Sequence, residues 1–304
     1  MRARFLIIPL LLLAACQPME MDQDNQNTVD GQKPVSGAGY TLTIKATKKD
    51  AQTKALDLSS DGKTLGAYWK STEKVSVYRN GTCIGTLNVT PDQGEKPTTA
   101  TLSGKLKEGV SLQEGDVLTL LLPRETWSYA GQNCMLTGTG SIEDTYDYAT
   151  ATVTINDVSG TDVTTTADAN FQNQQSVYRF SFKEGASWVD IKFFTISAAN
   201  EKLAQSVSYQ NDVWTSVWGG VTVTPAATPG DHLYYVSLRN DATGQDTYSF
   251  LITGSDNALY TATKEIPASV LETPGRFISA KEIAASKAGF APASGTVSQS
   301  DNVY

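Results

Sequence analysis

The stretch VSVYRNGTCIGTL, residues 75–87, decides the fold class of this chain. Apolar and polar residues alternate on both sides of the pair Asn80-Gly81. That pair favours the tight two-residue turn of a β-hairpin, because both of its positions tolerate positive φ. The stretch therefore predicts a hairpin in which Tyr78 lies opposite Cys83.

The two faces of this hairpin differ in what they can bury. Val75, Val77 and Ile84 form the more apolar face, with Val77 opposite Ile84, and we expect this face to join a core. Cys83 then points away from the core. An oxidising compartment would allow a disulfide between Cys83 and Cys134, but this orientation does not favour it.

Short alternating segments separated by turn signals continue along the chain on both sides of the hairpin. Examples are YTLTIKAT at 40–47, DVLTLLLP at 116–123 and WVDIKFFTIS at 188–197. Thr, Ser, Val and Tyr are abundant, and long helical patterns are few. The sequence predicts an all-β protein with two β-sandwiches in tandem, joined by a polar linker at 156–170.

The segment 40–47 and the residues after it have contrasting patterns. Leu42 and Ile44 alternate with polar residues, so they are expected on the buried face of a core strand. Residues 48–54 hold three lysines and no large apolar residue, which predicts an exposed loop.

Residues 1–15 have the layout of a secretory signal peptide. Arg2 and Arg4 give a positive start, and the apolar run at 5–13 is too short to span a bilayer. The four residues LAAC end on Cys16 and resemble the lipobox of bacterial lipoproteins, in which the signal is cut before the cysteine and the thiol carries diacylglycerol. The resemblance implies lipidation at Cys16 and a place outside the cytoplasm.

Residues 16–35 are acid-rich and lack aromatic or β-branched runs, which is typical of a flexible tether. The whole chain has 304 residues and a net charge of −8, without a cluster of Lys or Arg. This balance argues against nucleic acid as a partner.

Catalytic and metal motifs are not recognisable in the sequence. His232 is the only histidine, so a Ser-His-Asp or Cys-His arrangement would have to use it, and it is interpreted as a surface residue at a strand start. Glu143, Asp144 and Asp147 lack the glycine and spacing of a calcium loop and predict a solvated turn. We expect no enzyme activity, no metal and no cofactor, with a hydrolase using two carboxylates as the remaining enzymatic alternative.

Two tryptophans in VWTSVWGG, residues 213–220, suggest a second kind of function. Trp214 and Trp218 lie on one face of an extended segment, with Tyr209 nearby in sequence. If exposed, they would form a stacking platform for sugar rings; if buried, they would belong to a core. The alternative function is therefore a surface-exposed glycan-binding lipoprotein.

A distributed pattern resembles the fimbrillins, the subunits of type V pili. It begins at 53–87, where Trp69 is followed by a polar gap and an apolar strand that ends in a glycine turn. TATLSGKL at 99–106 and GDVLTLLLP at 115–123 continue it. ANFQNQQSVYRFSF at 169–182 resembles the start of the family's second domain.

The resemblance implies two transthyretin-like β-sandwiches, at 36–158 and at 159–304 with a short tail. It also implies a structural pilus subunit of the cell surface, exported as an outer membrane lipoprotein, whose partners are other pilus subunits and a host or glycan ligand. A protease would remove the first strand, and a strand from a neighbouring subunit would fill the groove. The candidate processing sites are Lys48, Lys49 and Lys54.

Two departures from the family pattern leave the position of the subunit open. Processing in the family often follows arginine, yet no arginine lies between Arg4 and Arg79. Shaft subunits carry a C-terminal donor strand, but residues 289–304 alternate weakly and are interrupted by Pro292 and Gly295. Shaft, tip and minor subunit remain three alternatives.

Overall fold

The computed structural model describes residues 39–48, 56–123 and 125–289; the predictions for the signal peptide, the tether, Cys16, Lys49, Lys54 and residues 290–304 lie outside them. The strands before residue 174 are β1 (Thr41–Lys48), β2 (Leu56–Leu58), β3 (Leu65–Ala67), β4 (Lys74–Arg79), β5 (Thr82–Pro91), β6 (Thr99–Lys105), β7 (Val117–Leu122), β8 (Thr126–Ser128), β9 (Ala149–Ser159), β10 (Asp162–Thr165) and β11 (Ala169–Asn173). The later strands are β12 (Ser176–Glu184), β13 (Ser187–Trp188), β14 (Ile191–Ala198), β15 (Ala204–Gln210), β16 (Val213–Trp218), β17 (Val221–Val223), β18 (Tyr234–Leu238), β19 (Asp246–Gly254), β20 (Leu259–Ile266) and β21 (Phe277–Lys287). Two short helical elements are also present, a π-helical turn (Ile142–Tyr146) and α1 (Ala268–Leu271). The protein is all-β, as predicted.

The first large sheet contains eight strands in the order β10-β1-β11-β9-β7-β4-β5-β6. Because β1 also pairs with β6, and β10 with β9, the sheet closes on itself. Its inward side chains form one apolar core that includes Leu42, Val77, Leu102, Leu120 and Phe171. Closure gives β1 hydrogen-bonded neighbours on both of its sides.

The hairpin predicted at residues 75–87 is confirmed. β4 and β5 pair antiparallel, with Tyr78 opposite Cys83. The backbone φ is 48° at Asn80 and 67° at Gly81, the left-handed conformation that a tight hairpin turn requires.

A β-bulge shifts the register beyond this turn. Val77 pairs with Gly85, and the prediction that it pairs with Ile84 is wrong, because the bulge accommodates one extra residue on β5. The core face is nevertheless as predicted, since Val75, Val77 and Ile84 are all buried in the first core. Cys83 is half-buried outside that core.

Residues 156–170 belong to the first sheet, so their prediction as a linker is wrong. β9 extends into this segment, and β10 and β11 both pair with β1. Val163 and Ala169 are 2% and 0% exposed and join the first core. One or two small apolar side chains per short strand are enough to attach this segment to the first core. The polar composition of the segment therefore did not predict its strands.

The second large sheet runs β13-β12-β21-β20-β19-β14-β17, with β18 also paired to β12. Its core is strongly aromatic and includes Tyr178, Phe180, Phe182, Phe194 and Phe250. Neighbouring ring centroids in this group lie 5.0–5.7 Å apart, within the range of favourable edge-to-face and offset contacts. The described chain thus contains two multi-strand bodies, each with its own core.

A smaller sheet, β16-β15-β8, meets the first body through two hairpin turns. The Gly81 amide donates to Asp212 Oδ1 at 2.7 Å, and the rings of Tyr78 and Tyr209 meet edge-on at 5.4 Å. A Cβ at Gly81 would lie 2.1 Å from Asn211 Cα, so this close approach requires glycine.

Candidate functional site

Strand β1 lies in a slot formed by three other strands. On one side it runs antiparallel to β6, from Thr41 opposite Lys105 to Thr47 opposite Thr99. On the other side it runs parallel to β10 near its start and parallel to β11 near its end. Its backbone is therefore paired along the whole of one edge and at both ends of the other.

One face of β1 is buried and the other meets solvent. Leu42, Ile44 and Ala46 are 0%, 2% and 1% exposed, which confirms the predicted buried face. Lys45 is exposed on the outer face, where its Nζ lies 3.2 Å from Asp92 Oδ1. β1 thus contributes an apolar row to the first core and a solvated row outside it.

The prediction that residues 48–54 form an exposed loop is wrong for Lys48. This residue ends β1 with its ammonium 2.9 Å from Glu73 Oε1 and 3.1 Å from Oε2. Both side chains are only 2% exposed. While β1 is in place, a protease that binds a lysine side chain therefore has no access to Lys48.

The surroundings of the Lys48 ammonium form a compact site, which we call the Lys48 socket: Tyr68, Trp69, Lys70 and Glu73. Nζ donates to the carbonyl oxygen of Tyr68 at 3.0 Å and lies 4.1 Å from the centroid of the Trp69 ring. The Lys70 amide donates to Glu73 Oε2 at 2.8 Å and holds that carboxylate in place. A carboxylate, a carbonyl and a ring face together recognise a cation.

Sequence reasoning misses Glu73, because one glutamate before a strand resembles an ordinary solvated charge. The sequence nevertheless indicates that Lys48 is buried and needs a partner. Counting in twos from Leu42 places Ala46 and Lys48 on the buried face. A buried lysine requires a partner, but the alternation does not identify it. The fold supplies that partner from 25 residues away in the chain.

The two candidate glycan-binding tryptophans have different surroundings on β16. Trp214 is half-buried, with its ring centroid 4.5 Å from that of Tyr209 and 5.3 Å from that of Trp127. Trp218 is 37% exposed, with the Lys202 ammonium 5.2 Å from its ring. Trp218 is thus the more exposed of the two rings, and a role of this pair in glycan binding stays a prediction.

His232 precedes β18, at the strand start where it was predicted. Its ring stacks on that of Trp188 with 5.4 Å between centroids, and its Nδ1 lies 3.1 Å from Asp190 Oδ1. These contacts account for the histidine as part of a surface cluster.

The acidic segment around the π-helical turn is not simply a solvated turn. Asp147 is 1% exposed and accepts a hydrogen bond from Gln175 Nε2 at 2.8 Å, while Glu143 pairs with Lys70. The prediction of a solvated turn is therefore wrong for Asp147, because its carboxylate is buried and accepts a hydrogen bond from Gln175. In the part of the chain that the structure describes, no group of three or more His, Cys, Asp or Glu residues could hold a metal ion.

Cys134 is a free, buried thiol, so Cys83 and Cys134 do not form a disulfide. Burial raises the pKa of the Cys134 thiol far above its usual value, which makes it a poor nucleophile. Among the described residues, no helix combines the length and the apolar character of a membrane span.

Several solved structures are similar to this chain. A candidate cell adhesion protein from Bacteroides ovatus is 13% identical, with a TM-score of 0.46 and coverage of 83% of this chain and 97% of that one. Another from Bacteroides uniformis is 12% identical, with a TM-score of 0.40 and coverage of 84% and 99%. The C-terminally truncated tip fimbrial protein Mfa3 from Porphyromonas gingivalis is 8% identical, with a TM-score of 0.37 and coverage of 74% and 81%.

No protein-family model and no curated protein matches the chain. The three similar structures are thus two candidate cell adhesion proteins and one fimbrial protein. At these identities and TM-scores, the likenesses carry no argument about function.

Proposed function

We propose that this protein is a structural subunit of a cell-surface pilus, assembled when β1 is cut away and replaced by a strand from a neighbouring subunit. The observation that carries the proposal is the position of β1. It is the first strand described, it is hydrogen-bonded along both edges, and it fills one wall of the first core.

A single cut would make β1 replaceable. Residues 49–55 join β1 to β2, so one cut within them divides the polypeptide between β1 and every later strand. Lys49 and Lys54 are the candidate cut sites, since Lys48 is buried.

The vacated slot would bind an extended strand of suitable chemistry. Loss of β1 uncovers the backbone groups of β6, β10 and β11 and an apolar groove that Leu42 and Ile44 had filled. Uncovered backbone groups and apolar surface both cost free energy, and an added strand satisfies both at once. The two bodies would be transthyretin-like domains that divide near residue 174, beyond the last strand of the first sheet.

The alternative, a glycan-binding lipoprotein, is less well supported. A stacking platform needs two exposed rings, and the Trp214 ring packs against Trp127 and Tyr209. Shaft, tip and minor positions in the pilus agree equally well with the features of β1.

Limited digestion tests the proposal. A lysine-specific protease should cut the non-lipidated chain first at Lys49 or Lys54, and the cut protein should form stable multimers while intact protein stays monomeric. The matched control changes Lys49 and Lys54 to Gln and retains Lys48, which should block both cutting and multimer formation. Multimers that form equally well from this control would contradict strand replacement.

A further inference from the structure

Strand β1 carries one buried cation, and the groups that contact it among the described residues lie in a later part of the chain. The Lys48 socket is formed by residues 68–73, beyond the proposed cut. When β1 leaves, its ammonium leaves with it. The Glu73 carboxylate, the Tyr68 carbonyl and the Trp69 ring face stay with the body.

We infer that the Lys48 socket selects the replacing strand, which must place a Lys or Arg side chain where Lys48 now lies. The inference rests on the proposed strand replacement and names the chemistry of the partner. A buried carboxylate that loses its cation is strongly destabilising, whereas one that regains a cation is not. A strand with an apolar or acidic residue at this position is therefore disfavoured.

The socket also fixes the register of the incoming strand. The Lys48 amide donates to Thr98 O at 2.9 Å, so its position is defined relative to β6. Ala46 pairs with Ala100, and both are buried, which leaves space for a small side chain only. A slip by one residue would turn the cation outward and the polar residues inward. The partner strand should thus read apolar, any, apolar, any, small, any, basic.

Peptide exchange tests this inference on the full chain from residue 16 onward, carrying a sequence-specific protease site within residues 49–55. After cutting, labelled peptides with the sequence of residues 39–48 compete for the slot, and binding is followed by fluorescence anisotropy. The Lys48→Met peptide should bind at least about 10-fold more weakly than the unchanged peptide. The Lys45→Met peptide is the matched control, since Lys45 lies on the exposed face, and its change should stay within about 3-fold.

The possible outcomes distinguish selection by the Lys48 socket from strand replacement itself. Equal binding by the Lys48→Met and Lys45→Met peptides would overturn the socket and leave strand replacement standing. Failure of every peptide to enter the slot would overturn strand replacement and the socket with it. With a Glu73→Gln body, the penalty on the Lys48→Met peptide should fall to about 3-fold or less. A penalty that persists there would show that Glu73 does not select the cation.

Discussion

Strands β1 and β12 each open one of the two bodies, yet they are held in different ways. Both are paired along two edges, β1 by β6 and the pair β10 and β11, and β12 by β18 and β21. β1 is buried on one face only. β12 is buried on both faces from Ser176 to Phe182.

The second buried face of β12 packs against the hairpin formed by β2 and β3. Tyr178 and Phe180 face the aromatic core, while Val177 on the opposite face packs with Leu56 and Leu65 of β2 and β3. Removal of β12 would open two packing layers, whereas removal of β1 opens one. The comparison teaches that two strands with the same edge pairing can differ in how much packing their removal would undo, because they differ in the number of covered faces.

The largest expected effect is on β12. Phe180→Ala removes a fully buried ring whose centroid lies 5.1 Å from that of Phe250, and should lower the unfolding free energy of the second body by about 3–5 kcal/mol. Urea unfolding measures this. Leu251→Ala on the solvent face of the same body is the control, with a change within about 0.5 kcal/mol. Equal losses would contradict the packing described for β12.

The next effect concerns the one buried charge on β1. Glu73→Gln takes the carboxylate from Lys48 and should destabilise the first body by about 3 kcal/mol. The double variant Lys48→Met with Glu73→Leu should recover most of this loss, because no buried charge is left. Glu282→Gln, which breaks the exposed pair with Lys183, should cost less than about 1 kcal/mol in the same unfolding assay. A double variant that is no more stable than Glu73→Gln would contradict the pairing.

A smaller effect should appear at high pH, and it should act where Tyr178 of β12 meets Tyr248 of β19. Burial raises the pKa of Tyr178 well above its usual value and that of Tyr248 from 10.0 to about 12. A folded-state pKa above the unfolded one favours the protonated phenol, so this contribution is complete below about pH 10 and is lost as the pH rises from 10 to 12. Tyr248→Phe should make the loss of stability with pH shallower in this window, measured by urea unfolding at each pH. An unchanged slope would contradict the burial of Tyr248.

Local patterns predicted much of the fold. The Asn80-Gly81 turn and the alternation around Leu42 and Ile44 were sufficient to predict the first hairpin and β1, because each depends on neighbours in sequence. The strands in residues 156–170 were missed because their burial depends on β1, far away in the chain. The difference between Trp214 and Trp218 likewise depends on which side chains the fold brings to each ring.

The central claim, that β1 must leave its slot for subunits to assemble, can be tested by fixing it there. Thr43 on β1 lies opposite Ser103 on β6, with their hydroxyl oxygens 3.0 Å apart, so Thr43→Cys with Ser103→Cys should form a disulfide across the two strands. The matched control is Ser197→Cys with Ser249→Cys, an opposed pair on β14 and β19 in the second body.

The account predicts that the oxidised Thr43→Cys, Ser103→Cys protein is still cut within residues 49–55 but forms no multimers, and that reduction restores them. The control pair should form multimers whether oxidised or reduced. Multimers from the oxidised Thr43→Cys, Ser103→Cys protein, with the disulfide verified by mass spectrometry, would contradict strand replacement at β1.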